Sequence, residues 1–211
     1  GVYTHLLFDN TPTLFSGINA QYGLSFIPGT LIRKMYIVKG ANSVLQGYEA
    51  VSGLVNVLTQ EGPEADALFL NGFTSASLER QFNASTYRRF GNWSTFLAGH
   101  LTQPSNAMDG DENGFIDMPR INRYSLFNKW TYDNSEGTQA RVGVKYTNEH
   151  RVGGMRGFDV DRDAGGTRLY GQVMDNDRAE AYGTANIPAW GEKTKYAEWY
   201  WHDMQDKDGA T

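Results

Sequence analysis

The pattern of apolar and polar positions along the chain changes near residues 60–66. Beyond that point apolar residues recur at every second position, most clearly in segments 121–132, 138–149 and 178–190. In 138–149 one face carries Ala140, Val142, Val144 and Tyr146, and the other carries Gln139, Arg141, Lys145, Thr147 and Glu149. Because successive side chains of a β-strand point to opposite faces, this pattern predicts strands with one apolar and one charged face. In 121–132 Phe127 breaks the pattern, since it stands among the polar positions.

About seven such strands are predicted, beginning with segment 67–75, and each is about ten to thirteen residues long. A strand of a globular protein usually has about five or six residues, whereas a tilted strand that crosses a membrane needs about nine to eleven. Short connections alternate with long ones at 104–120 and 151–177, as in outer-membrane barrels, and the short connection at 75–78 is the exception. Length and connections therefore favour a transmembrane antiparallel β-barrel.

The predicted number of strands is odd, although bacterial single-chain barrels use an even number. An open sheet of long strands would also leave unpaired edges. We therefore expect the 211 residues to be a piece of a larger protein.

The segment before residue 62 has a different pattern, with short apolar runs at 5–8, 31–38 and 53–59. Such runs are typical of strands that are buried on both faces. Turn-forming residues follow at 9–12 and 28–29, and helical turns are expected near 28–32 and 43–47. The sequence thus predicts a small globular unit ahead of the barrel strands.

Composition narrows the classes of function. The chain has 24 glycines and many aromatic residues (Phe 11, Tyr 12, Trp 5), as expected for a β-protein with many turns. It has no cysteine, which excludes disulfides, thiol catalysis and cysteine-based zinc sites within these residues. A formal net charge of −5 argues against a nucleic-acid partner. The sequence contains no nucleophile–base pair that would indicate an enzyme.

One segment, 109–117 (DGDENGFID), resembles the first part of a calcium-binding loop. The candidate ligands are Asp109, Asp111, Asn113, Asp117 and the backbone carbonyl of Phe115. The twelfth position of such a loop is normally a bidentate glutamate, but here it is Arg120. Bound Ca²⁺ and a solvated acidic turn therefore remain alternatives.

Segment 37–59 (IVKGANSVLQGYEAVSGLVNVLT) resembles the end of the plug domain of TonB-dependent outer-membrane transporters. The matching positions are Val38, Lys39, Gly40, Ser43, Val44, Leu45, Gly47, Gly53, Val55, Asn56 and Val57. Upstream, 6–12 (LLFDNTP) is similar to the turn that leads into the plug. Two positions depart from the family pattern, since Asn10 and Ser52 replace glycines, and the form GYEAVSG is closer to the Bacteroidetes branch.

This resemblance implies a mainly β fold: a small α+β plug domain inside a transmembrane barrel, with about seven of 22 expected strands present. Residues 1–62 would be the C-terminal part of the plug, and 63–211 the first barrel strands. The implied function is import of a scarce nutrient (siderophore, vitamin, metal chelate, peptide or glycan) across the outer membrane of a Gram-negative bacterium. The implied partners are the TonB–ExbB–ExbD complex, lipid, the nutrient and, in some relatives, a surface lipoprotein.

Two sets of residues follow from the resemblance. Lys39, Gly40, Gly47, Gly53 and Asn56 would form the structural motif of the plug, with the glycines serving close packing and positive φ. Arg33, Lys34 and Lys39 would form polar contacts between plug and barrel, with Glu149 or Glu180 as partners on the inner barrel face. The substrate-binding residues are unknown at this level.

The alternative function is a soluble, secreted β-sheet module that binds calcium. The two hypotheses differ in what the apolar strand faces contact: lipid in a barrel, and a protein core in a soluble module.

Overall fold

The computed structural model describes residues 4–12, 23–40, 53–61, 65–189 and 193–210. Eleven strands lie in these ranges: β1 Thr4–Phe8, β2 Thr11–Pro12, β3 Ile32–Lys39, β4 Gly53–Thr59, β5 Phe69–Thr74, β6 Arg80–Phe90, β7 Trp93–Gln103, β8 Arg120–Asp133, β9 Gln139–Gly154, β10 Gly171–Ala189 and β11 Lys193–Ala210. The helical elements are two 3₁₀ turns, Gly23–Phe26 and Gly29–Leu31, and the short helix α1, Val160–Asp163.

The strands form two sheets. A four-stranded sheet, called here the plug sheet, has the order β2-β1-β4-β3. A seven-stranded sheet, called the barrel wall, has the order β11-β10-β9-β8-β7-β6-β5, so every strand pairs with its neighbour in the sequence. The predicted number of seven strands is confirmed among the described residues. The predicted length of ten to thirteen residues holds for β6 and β7, whereas β5 has 6 residues and β8–β11 have 14 to 19. The segment 151–177, predicted as a loop, is partly strand, because β9 continues to Gly154 and β10 begins at Gly171.

The two faces of the barrel wall are inverted relative to a soluble protein. Large apolar side chains are exposed on one face: Phe82, Leu97, Leu101, Tyr124, Leu126, Trp130, Val142 and Val144. Charged side chains are buried on the other, where Lys129 and Glu149 are each only 1% exposed. A sheet with an apolar outer face and a polar inner face is the arrangement of a barrel in lipid.

The plug sheet is held together by β4, which lies between β1 and β3 and pairs in parallel with β1. Gly53 begins β4 with φ +152°, and a Cβ atom there would lie 2.7 Å from the carbonyl oxygen of Val38. Gly40 directly follows β3 and has φ +86°. Both glycines are therefore required by backbone geometry, whereas Gly47 lies outside the described residues.

Asn56, another residue of the predicted plug motif, connects β4 to the turn after β1. Its side-chain amide donates to the Oδ1 atom of Asn10 at 2.7 Å, and its own Oδ1 accepts from the Asn10 backbone at 3.2 Å. Asn10 has φ 68°. Asparagine tolerates this left-handed conformation, which explains how it replaces the usual glycine.

Two expectations for this unit have different outcomes. The helical turn expected near 28–32 is confirmed by the 3₁₀ turn Gly29–Leu31, and the one near 43–47 lies outside the described residues. The expectation that segment 31–38 is buried on both faces is wrong for most of its length. β3 is an edge strand, and its side chains from Arg33 onward are exposed.

An apolar cluster joins the two sheets. It contains Phe8, Ile27, Leu31 and Val57 from the plug side, and Phe96, Ala98, Phe127 and Tyr182 from the barrel wall. The ring of Phe127 meets that of Phe8 edge-on, with 5.4 Å between ring centroids. Phe127 breaks the polar pattern of its strand because it faces the plug sheet rather than water.

Candidate functional site

The contact between the plug sheet and the barrel wall is centred on Asp9. This residue directly follows β1 in a turn with φ 50°, and its carboxylate is buried. Within the plug sheet, Thr59 donates twice to it: the backbone amide to Oδ1 and the hydroxyl to Oδ2, both at 2.7 Å. The turn after β1 thus directs a carboxylate against the end of β4.

Two residues of the barrel wall reach the same carboxylate. The Tyr182 hydroxyl donates to Oδ2 of Asp9 at 2.5 Å, and the ammonium of Lys129 lies 3.3 Å from the same atom. Lys129 also donates to the Thr59 hydroxyl at 2.6 Å and to Glu61 at 3.2 Å. One buried cation from β8 therefore connects three residues of the plug side.

These contacts set the ionisation of Asp9. Burial by itself would raise the pKa of the carboxyl, but the charge of Lys129 and the hydrogen bonds from Thr59 and Tyr182 outweigh it. The pKa of Asp9 is therefore held below its ordinary value of 3.8, and Asp9 is an anion at neutral pH.

Glu61 is the second carboxylate of the plug side at this contact. Besides Lys129, it lies 3.4 Å from Arg141 of β9 and 3.6 Å from Arg33 of β3. Glu61 and its two arginines are partly exposed, so this group lies at the rim of the contact around the buried Asp9–Lys129 pair.

Two aromatic side chains of the plug side lie over cations of the barrel wall. The Lys145 ammonium is 4.7 Å from the ring centroid of Phe8. The guanidinium carbons of Arg123 and Arg151 are 5.6 and 6.0 Å from the ring centroid of Phe26. Such cation–π contacts stabilise a desolvated cation without a counter-charge.

The predicted partners of Glu149 and Glu180 require correction. Glu149 pairs with Arg123 and Arg151, and Glu180 pairs with Lys145 and Arg178, all on the barrel wall itself. The plug cations named from the sequence have other places: Arg33 pairs with Glu61, Lys34 lies over the ring of Tyr36, and Lys39 is exposed.

The signs of the charges are thus reversed relative to the sequence-based prediction. The plug side contributes carboxylates, and the barrel wall contributes cations. Sequence reasoning missed Asp9, Glu61, Lys129, Arg141 and Tyr182 as contact residues. A signal was present in Lys129 and Arg141, which occupy the polar faces of period-two strands, but their partners lie 68 to 120 positions away along the chain.

The side of the contact toward β6 and β7 is made of neutral groups. Thr30 donates to the Oδ1 atom of Asn83 at 3.1 Å, and Nδ1 of His100 lies 2.6 Å from that same oxygen. A cavity of about 240 Å³ lies beside it, between the plug side and the start of the barrel wall, with Gly29, Thr30, Ile32, Gln60, Ala65, Asp66, Phe69, Ser85 and Phe96 as its lining.

The predicted calcium loop follows β7. Carboxylate oxygens of Asp109, Asp111 and Asp117 lie within 4.8 Å of one another. Two oxygens on one Ca²⁺ at 2.3–2.6 Å are separated by no more than about 5 Å, so this spacing fits the ion. Asn113 donates to Asp111 at 2.8 Å through its amide nitrogen, and Phe115 bridges to Met155 through its backbone. Calcium binding stays a prediction.

A second cavity, of about 390 Å³, lies at the end of the wall where the long connections β7–β8 and β9–β10 run. Its lining comes from the residue after β7, from the ends of β8 and β9 and from the loop around α1: Pro104, Arg120, Asn122, His150, Val152, Phe158, Asp159, Val160 and Asp161. The loop is organised by Asp163, whose buried carboxylate accepts from Arg162 and Arg168 at 2.9 and 2.8 Å. These hydrogen bonds hold the pKa of Asp163 well below its usual range.

The fold, a small sheet packed against the polar face of an inverted wall, is that of a plug-and-barrel protein. No helix among the described residues has the length and apolar character needed to cross a membrane. No family model matches the chain.

The similar proteins are transporters and receptors. The vitamin B12 transporter BtuB of Vibrio vulnificus (strain CMCP6) is 29% identical over 173 residues, which cover 76% of this chain and 28% of the transporter. The siderophore receptor PiuA from Acinetobacter baumannii superposes with a TM-score of 0.55 at 14% identity, over 93% of this chain and 30% of the receptor.

Two further structures share the fold. The copper transporter OprC matches with a TM-score of 0.55 at 12% identity, over 99% of this chain and 39% of OprC. A mutant of the ferric enterobactin receptor PfeA from Pseudomonas aeruginosa matches with a TM-score of 0.52 at 11% identity, over 99% of this chain and 38% of PfeA. The chain thus spans between 28% and 39% of the lengths of these four proteins.

Proposed function

We propose that the chain is the plug-to-barrel portion of a TonB-dependent receptor that imports a scarce nutrient across the outer membrane. Residues 1–62 would supply the C-terminal part of the plug, and 63–211 the first strands of the barrel. The observation that carries the proposal is the wall with lipid-compatible apolar residues outside and buried charges inside, against which a small sheet is packed.

The chemistry of the contact supports a plug that moves. Beside the apolar cluster, the contact contains a buried group of hydrogen-bonded charges at Asp9 and Lys129 and, at its rim, the partly exposed Glu61 group. When the sheet is displaced, water molecules can replace polar partners of this kind, whereas a large dry apolar interface would lose its whole stabilisation. Import would then require an energised partner from the inner membrane, the TonB–ExbB–ExbD complex in this class. The chain would be part of a transporter rather than an enzyme.

The full-length protein, expressed in its own outer membrane, tests this. Cells with and without its gene would be compared for growth or uptake on siderophores, cobalamin, metal chelates, peptides and glycans as single limiting nutrients. We expect one class to be taken up only when both the gene and a functional TonB are present. Uptake that persists without TonB would contradict import by an energised plug.

The soluble calcium-binding module is the other candidate, and the acidic loop is the feature that favours it. The exposed residues of the barrel wall speak against it, because a continuous apolar face is rare on a soluble monomer. Fractionation separates the two: an outer-membrane protein is extracted only by detergent, and a secreted module is recovered in the medium.

A further inference from the structure

A row of three residues on the inner face of the barrel wall lies against Asp9. In the strand pairing, Lys129 of β8 is opposite Gly143 of β9, and Gly143 is in turn opposite Tyr182 of β10. Residues that are directly opposite each other in a sheet have their side chains on the same face. The three residues, called here the Gly143 row, therefore place a cation, a position without a side chain and a phenol side by side.

The ring of Tyr182 occupies the position that Gly143 leaves free. A Cβ atom on Gly143 would overlap the Cε1 and Cζ atoms of this ring and would lie 2.6 Å from its hydroxyl oxygen. The far end of the phenol thus lies over β9 rather than over its own strand. From there the hydroxyl donates to Oδ2 of Asp9 at 2.5 Å, and the ammonium of Lys129 reaches the same oxygen from β8 at 3.3 Å.

Backbone geometry does not account for the glycine. Gly143 pairs regularly with both neighbouring strands and is not one of the glycines with positive φ. A glycine inside a strand weakens the strand, and it often marks a place where another group approaches the backbone closely. At Gly143 that group is the ring of Tyr182, which is itself in contact with the plug side.

We propose that Gly143 is a positioning residue for docking of the plug sheet. Because it leaves room for the Tyr182 ring, two donors from β8 and β10 converge on one carboxylate oxygen of Asp9. A hydrogen bond to an ionised acceptor is about twice as strong as one between neutral groups, so its loss weakens docking measurably. The inference rests on the proposed plug-and-barrel function and adds a wall residue that sets how firmly the plug is held.

The change Gly143→Ala tests this in the full-length protein in detergent, with hydrogen exchange followed by mass spectrometry. The new Cβ would displace the Tyr182 ring and with it the hydroxyl that donates to Asp9. Loss of a hydrogen bond to a charged group should make the amides of β1 and β4 exchange about tenfold to a hundredfold faster. Amides of β8 and β9 should be unchanged or slower, because alanine is more favourable than glycine inside a strand.

Two variants of Tyr182 show whether the effect passes through its ring. Tyr182→Phe removes only the hydroxyl and should also accelerate exchange in β1 and β4. It leaves β9 unchanged, so it tests the hydroxyl even where Gly143→Ala does not assemble. Tyr182→Val removes the ring, and in this background Gly143→Ala should have no further effect. The matched control is Gly99→Ala inside β7, where a Cβ atom would meet open space and exchange should not change.

The outcomes decide the role of Gly143. Unchanged exchange of β1 and β4 in Gly143→Ala or in Tyr182→Phe would overturn it. The same would follow if the full effect of Gly143→Ala persisted in the Tyr182→Val background, since the ring would then not be involved. An effect that disappears in that background and is absent in Gly99→Ala would support it. Exchange is measured without cargo or TonB, so a failure of the proposed import would produce none of these results.

Discussion

Replacing Lys129 with methionine tests whether the buried charge contact holds the plug sheet to the barrel wall. Lys129→Met keeps much of the side-chain volume but removes the cation that contacts Asp9, Thr59 and Glu61. Removing one partner of a buried ion pair typically costs about 3–5 kcal/mol, because the other charge stays buried. Here the cost should be near the lower limit, since Asp9 keeps its hydrogen bonds from Thr59 and Tyr182.

The cost falls on docking of the plug sheet and leaves the pairing of the barrel strands intact. A loss of about 3 kcal/mol raises the population of the undocked state on the order of a hundredfold. Hydrogen exchange of the full-length protein in detergent, followed by mass spectrometry, measures this. Amides of β1 and β4 should exchange about a hundredfold faster, and those of β8 and β9 should change little.

Two comparisons make the result specific. Lys34→Met makes the same chemical change on an exposed residue of β3 and should leave exchange unchanged. In an Asp9→Asn background, Lys129→Met should cost less than in the wild type, because the two residues contact each other. Less than a threefold change in β1 and β4, or an equal change in the barrel strands, would refute the assignment of Asp9–Lys129 as the anchor.

The depressed pKa of Asp9 gives docking a defined pH dependence. The pKa of the docked carboxyl lies below the ordinary value of 3.8, so ionised Asp9 stabilises docking fully at any pH above that value. After division by the intrinsic exchange rate at each pH, exchange of β1 should therefore be insensitive to this group between pH 7 and 5 and should increase as the pH falls below about 4. In Lys129→Met, the increase should begin at a higher pH, because the charge of Lys129 is the largest cause that lowers this pKa.

Three further predictions concern other parts of the chain. Gly53→Ala should destabilise the plug sheet by more than about 1 kcal/mol in the same exchange measurement, because the new Cβ would lie 2.7 Å from a carbonyl oxygen. Gly72→Ala is the control and should have little effect, because a Cβ there would meet open space. Leu126 is 55% exposed on the outer face, so Leu126→Arg should lower the stability of the barrel by about 2–4 kcal/mol and reduce the folded fraction in heat-modifiability gels. Ser135→Arg, in a short turn, should leave the folded fraction unchanged. Calorimetric titration with Ca²⁺ should give binding heat that Asp111→Asn reduces, and absence of heat in the wild type would exclude a calcium site.

The barrel wall could be predicted from the sequence because period two is a local property. Alternation in 138–149 assigns each side chain to a face without knowledge of any partner, and the structure confirms that Val142 and Val144 are outside and Lys145 and Glu149 are inside. The pattern does not predict where the strands end, since β9 and β10 continue beyond it through hydrogen bonding with each other.

The pairing of charges could not be predicted in the same way. The sequence shows that Glu149 and Glu180 face inward, but several cations compete for each carboxylate at similar distances. The nearest cations are on the same or adjacent strands, and among the described residues they are the partners of both carboxylates. The sequence predicts that Asp9 lies in a turn, and the structure confirms it; the same backbone turn also directs the carboxylate toward Lys129.

The order of strands in the wall has a consequence for how the chain folds. Each wall strand pairs with its sequence neighbour, so the wall can form one hairpin at a time, with small loop-closure entropy at each step. The contacts of Asp9 with Lys129 and Tyr182 span 120 and 173 residues. The plug sheet is therefore synthesised first but docks late, since the Asp9–Tyr182 contact cannot form before β10 is in place. Until then the carboxylate of Asp9 lacks the hydrogen bond from Tyr182, so its burial is completed only with the wall that receives it.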